Sequence, residues 1–118
     1  MEKQRRLVET LLDRTIDGLI AWKETAENGT YQVSFASNSV QIKEGGLSGK
    51  DIVIDLINDE GVAVDSFSDR DIEASEPGKY FTMMNDLYQR ARRIALGSEQ
   101  ILDDILGELT QASRRGAR

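Results

Sequence analysis

Residues 51–67, DIVIDLINDEGVAVDSF, decide the architecture. Asp51 to Ile57 is dense in β-branched side chains. Ile52, Ile54 and Leu56 fall on one side of an extended chain, whose side chains alternate between faces. Asn58-Asp59-Glu60-Gly61 is a hairpin signal, because glycine takes a positive φ without steric cost. Val62, Val64 and Ser66 then share a face of the next strand. Strands this close in sequence pair antiparallel, since parallel neighbours need a crossover of about a dozen residues or more.

Upstream of this hairpin the alternation continues. Tyr31-Gln32-Val33-Ser34-Phe35 and Val40-Gln41-Ile42-Lys43 read as two more strands, with Ser37-Asn38-Ser39 turning the chain and the glycine-rich segment 44–50, EGGLSGK, joining the second of them to Asp51. Before the strands, Val8, Leu12, Ile16 and Leu19, flanked by Leu7, Leu11 and Ile20, recur in steps of three and four. They predict a helix from Glu2 to Glu27 that tolerates Gly18 and ends at Asn28-Gly29. After an acidic loop over residues 68–79, Pro77 fits a first helical turn, and Phe81, Met84, Leu87, Tyr88, Ala91, Ile94 and Ala95 mark a helical side. The series Met84, Tyr88, Ala91, Ala95, Ser98, Leu102, Ile105, Leu109 keeps alternating steps of four and three through Gly97-Ser98. That phase predicts one long C-terminal helix, with room for a kink at Gly97-Ser98, and a second folded-back helix as the alternative.

The expected fold is therefore α+β in a single domain over residues 1–113: an N-terminal helix, a four-stranded antiparallel meander and a long C-terminal helix, the helices packed antiparallel on one face of the sheet. Residues 114–118 carry Arg114, Arg115 and Arg118 and read as a frayed basic tail. A helix from Tyr80 to Leu96 spans about 25 Å, enough to cover a seven-residue strand of about 23 Å. Leu102, Ile105, Leu106 and Leu109 then overhang the sheet. Their cover is either a second subunit or the protruding start of the first helix, with Leu7, Val8 and Leu11.

Composition narrows the function. The 118 residues carry a net charge of −6, concentrated between Tyr31 and Lys79, where four basic and ten acidic side chains stand. An acidic sheet region repels nucleic acid, whose phosphates supply most of such affinity. Cysteine is absent, so no disulfide framework exists, and no apolar run reaches the length of a membrane span. The charged, amphipathic first residues lack the apolar core of a signal peptide, which makes the cytoplasm the expected compartment.

Histidine is absent as well, which removes the commonest general base and metal ligand along with the thiol nucleophile. The stretch Gly45 to Lys50 resembles a phosphate-binding loop at a glance. Glu44 stands where its first glycine belongs, Asp51 where a Ser or Thr belongs, and the loop precedes a strand instead of a helix. Asp69, Asp71 and Glu73 have the spacing of a calcium loop, but Ala74 replaces the sixth-position glycine and Tyr80 the closing glutamate. No metal, no cofactor and no catalytic residue are expected.

Two features remain as binding candidates. Arg90 and Arg93 lie three apart on one helix side, either paired with carboxylates or holding an anion such as a nucleotide or an acidic peptide. Trp22, the only tryptophan, and Tyr88 lie in or beside the apolar stripes, as core or as contact anchors.

The segments LLDRTIDGLIAWKET, YQVSFASNSVQI, IDLINDEG and LYQRARRIALG together resemble a group of short, uncharacterised bacterial proteins with a leading helix, a β-meander and a closing helix. The resemblance covers about residues 11–109, rests on core positions, and implies a bacterial origin and this element order but no catalytic residue. The expected function is a non-catalytic interaction or assembly module, a homodimer or the partner of another protein, with an interface drawn from Trp22, Tyr88, Leu102, Ile105, Leu106 and Leu109. A small-anion binder or sensor using Arg90 and Arg93 is the second expectation.

Overall fold

The structure, a computed structural model, describes residues 1–114; the tail beyond Arg114 lies outside the described residues. It is α+β, with strands β1 (Lys23–Glu24), β2 (Tyr31–Ser34), β3 (Ser39–Gly45), β4 (Asp51–Ile57) and β5 (Ala63–Ser68) in one antiparallel sheet of order β1-β2-β3-β4-β5. Helix α1 (Glu2–Ile16) precedes them, and α2 (Lys79–Ala95) and α3 (Ser98–Arg114) follow.

The hairpin read from residues 51–67 forms as its turn chemistry dictates. The Asn58 side-chain carbonyl accepts from the Glu60 and Val62 amides at 3.0 Å each, and Gly61 sits at φ +80°. Ile54 pairs with Phe67 on one flank and Ile42 on the other, and Ile42 pairs in turn with Tyr31. These four side chains, with Val33, Val40 and Ile52, form the sheet's contribution to the core. A register shift opposite Leu56 and Ile57 adds a residue to β5, and Val62 and Val64 stand exposed while Phe67 is buried. The outer face is a polar lattice. Gln41 donates to Gln32 at 2.8 Å, Lys43 pairs with Asp55 at 3.1 Å, and Ser66 donates to Asp55 at 2.6 Å.

The first helix is shorter than its periodicity predicts. Gly18 adopts φ +75°, its amide donates to the Thr15 carbonyl and the Leu19 amide to the Arg14 carbonyl, so the last turn closes in a Schellman motif. Asn28-Gly29 is a turn between β1 and β2, with the Thr30 amide bonded to the Glu27 carbonyl at 3.1 Å. The segment after Gly18 is extended and supplies a fifth strand, Lys23 and Glu24 pairing with Gln32 and Tyr31. The expected four strands become five, and this changes the helices too. Each helix returns the chain from one end of the sheet to the other, α2 over β1, β2 and β4 and α1 against α2. With five antiparallel strands the first and last point the same way, so α1 and α2 run in the same sense, not opposed. Accordingly Tyr80, at the start of α2, donates to Glu9 of α1, while Thr15 at the end of α1 lies by Asp86 and Arg90 of α2.

The long C-terminal helix is in fact two. Gly97 takes φ +69°, a conformation only glycine adopts without strain, and the Gly97 amide closes onto the Ile94 carbonyl before α3 starts at Ser98. Steps of three and four survive the break because a single left-handed residue redirects the axis without changing the count. Pro77 stands just outside α2, whose N-cap is Gly78. From α2 the core takes Tyr80, Met84, Leu87, Tyr88 and Ala91, and from α1 Val8, Leu11 and Leu12, while Phe81 and Ile94 stay exposed.

Candidate interaction surfaces

Helix α3 carries the most prominent feature of the surface. Leu102, Ile105, Leu106 and Leu109, joined by Ile101, are each between 45 and 60% exposed. The helix leans on α2 near its first turn, and its described side chains from Glu99 onward are exposed. The start of α1 does not cover the stripe: Val8 and Leu11 are buried in the chain's own core. An ion pair crosses the break, the Arg93 guanidinium donating to Glu99 at 3.0 Å.

Trp22 and Tyr88, expected among the interface residues, are inside the molecule. Trp22 is 1% exposed, and its indole N–H donates to the Thr15 hydroxyl at 3.0 Å, so the extended segment after Gly18 is pinned under the end of α1. Tyr88 packs against the Tyr31 ring at 5.6 Å between centroids and donates its hydroxyl to the Gly29 carbonyl at 2.8 Å. Burial, with the neighbouring Tyr31 and Glu44, raises its pKa above the ordinary value of 10.0.

Arg90 and Arg93 do line one cleft of about 470 Å³, with Thr15, Gln100 and the backbone at Gly97. Each guanidinium there already holds a carboxylate, Asp86 at 3.0 Å for Arg90 and Glu99 at 3.0 Å for Arg93. Both pairs are exposed to solvent, so an anion entering the cleft competes with a carboxylate for each guanidinium. The acidic loop is likewise engaged in folding. Asp69 accepts the Ile52 amide at 2.9 Å, Asp71 the Ser68 amide at 2.9 Å and Glu73 the Gly78 amide at 3.3 Å. Among the described residues no group of three acidic side chains is gathered to hold a metal ion. The segment from Gly45 to Lys50 joins β3 to β4, and the Gly46 backbone presses so closely on the Asp51 side chain that a Cβ has no room.

One surface was invisible to periodicity. Leu7, Thr10, Leu11 and Arg14 of α1 face Leu19, Ile20 and Phe35 across an apolar groove of about 440 Å³. Leu19 is 70% exposed and Phe35 52%. The helical reading placed Leu19 and Ile20 on the core stripe, whereas the turn at Gly18 swings Leu19 to the outside and leaves Ile20 partly buried against the core. The available signal was Gly18, which the periodicity tolerates inside the helix and the structure uses as its stop.

Among the described residues no helix is long and apolar enough to cross a membrane. No family of known proteins, no curated protein and no solved structure matches the chain.

Proposed function

We propose that this chain is a non-catalytic assembly module that self-associates through its C-terminal helix α3. The observation that carries the reading is the run of five large apolar side chains on α3, each about half exposed on a helix that its own domain leaves bare. Monomeric proteins rarely display a contiguous apolar surface of this kind. Burying the exposed half of a leucine or isoleucine stabilises by roughly 1 kcal/mol. Ten such side chains in a symmetric pair contribute on the order of 10 kcal/mol, which is the scale of the roughly 4–15 kcal/mol lost in association entropy. The lack of histidine and cysteine argues in the same direction, since few groups remain for general-base, nucleophilic or metal chemistry. Anion capture by Arg90 and Arg93 is the weaker reading, since each guanidinium already holds a carboxylate.

The test is Ile105→Asp combined with Leu109→Asp. Neither side chain belongs to the core, so the variant is expected to unfold cooperatively, with a midpoint lowered only by the lost association, while light scattering gives the mass of one chain. A wild type with single-chain mass at every concentration tested refutes self-association.

A further inference from the structure

The groove between α1 and Phe35 matches α3 in apolar character and opposes it in charge. At about 100° per residue, Ile101, Ile105, Leu109, Leu102 and Leu106 cover an arc of about 140° on α3. That is broader than the narrow seam of a two-stranded coiled coil and suits a helix laid into a concave apolar surface. Carboxylates border the arc on both edges, Asp104 and Glu108 on one side and Asp103 on the other, and residues 98–111 include no basic side chain. Two α3 helices laid against each other therefore bring edges of like charge together. The groove has the opposite character. Its floor is Leu7, Leu11, Ile20 and Phe35, and Arg14 lines it. Lys3 and Arg6 are exposed on the same outward side of α1 as Thr10, and with Arg14 they carry no ion pair among the described residues. Asp13, an exposed carboxylate of α1, lies about 100° round the helix from Arg14 but about 20° from Arg6, so Arg14 and Lys3 carry the basic rim.

We propose that this groove receives helix α3 of a second copy of the chain. The proposal rests on the reading of α3 as the association helix and adds the surface it meets. Since every copy has one projecting helix and one groove, two chains related by a two-fold axis can exchange helices and close, leaving neither surface open. Electrostatic complementarity of basic rim and acidic helix sets the orientation and disfavours pairing of α3 with itself.

Two measurements on the full chain decide it. Leu19→Asp places a charge at the mouth of the groove, on a side chain too exposed to threaten the fold. It is expected to reduce the mass seen by light scattering to one chain, the outcome also expected of Ile105→Asp combined with Leu109→Asp. The chain has no cysteine, so Leu19→Cys and Ile105→Cys can be prepared separately, mixed and treated with a short bis-maleimide. The product linking Leu19→Cys to Ile105→Cys is expected in several-fold excess over either self-linked product. If Leu19→Asp keeps the wild-type mass, or if self-linked Ile105→Cys predominates, the groove is not the receiving surface, while association through α3 stands. If the wild type itself has single-chain mass throughout, both readings fall.

Discussion

Tyr88 joins three parts of the molecule: its ring packs on Tyr31 of β2, its backbone belongs to α2, and its hydroxyl holds the turn at Gly29. A phenol removed from water by burial, beside Tyr31 and Glu44, resists ionisation, so the folded chain retains a proton that the unfolded chain releases near pH 10. The sign follows from proton linkage. The folded state binds more protons above that pH, so this stabilisation is complete below about pH 10 and is lost as the pH rises further. Tyr88→Phe is expected to cost about 0.5–1.5 kcal/mol at neutral pH through the lost bond to Gly29, and to flatten the alkaline decline. Urea unfolding at neutral pH and in the alkaline range checks both. An aromatic in a helical stripe announces burial, but sequence spacing does not say whether the burying surface belongs to the same chain, and for Tyr88 and Trp22 it does.

At the scale of elements, two glycines account for the main departures from expectation. Gly18 ends α1, and Gly97 separates α2 from α3, each with positive φ and with open space where a Cβ would stand. Strain alone then governs their replacement. Gly18→Ala is expected to destabilise by about 1–2 kcal/mol, read from denaturant midpoints, because alanine enters the left-handed region at that cost. Gly97→Ala has an escape that Gly18→Ala lacks, since the stripes of α2 and α3 are already in phase. It is expected to favour a continuous helix, and spin labels at Gln89 and Thr110 are expected to move toward the roughly 30 Å of straight helix. An unchanged separation shows that the ion pair between Arg93 and Glu99 holds the break without glycine. The strands were legible because alternation and turn residues are local. The fifth strand was not, since two residues carry no periodicity of their own and Lys23-Glu24 is extended only because β2 is there to pair with it.

The whole molecule measures 59 × 35 × 27 Å, with a radius of gyration of 17.5 Å against about 13–14 Å for a compact chain of this length. The excess is α3. Among the described residues the buried core ends at Ala91, with Ala95 packed against it, so a chain ending at Gly97 is expected to unfold cooperatively, with a midpoint lowered only by the loss of self-association. Calorimetry and light scattering check the two halves of that statement. Loss of cooperative unfolding in the shortened chain indicates that α3 supports the domain it leaves.

The sequence by itself determined the class of fold, the order of its elements, the antiparallel pairing of the four longer strands and the amphipathic stripe of α3. Each of these follows from short-range periodicity and turn chemistry. Only the tertiary structure decided where the helices stop, how many strands the sheet has, and therefore that α1 and α2 run in the same sense. It also decided that Trp22 and Tyr88 face inward and that Leu19, Ile20 and Phe35 line a groove. The physical reason is common to these cases. A glycine in a helical pattern can be tolerated or can turn the chain, and the two outcomes are close in local energy. The burial of Trp22 under α1 and the pairing of β1 with β2 select between them, and those partners meet only once the chain has folded.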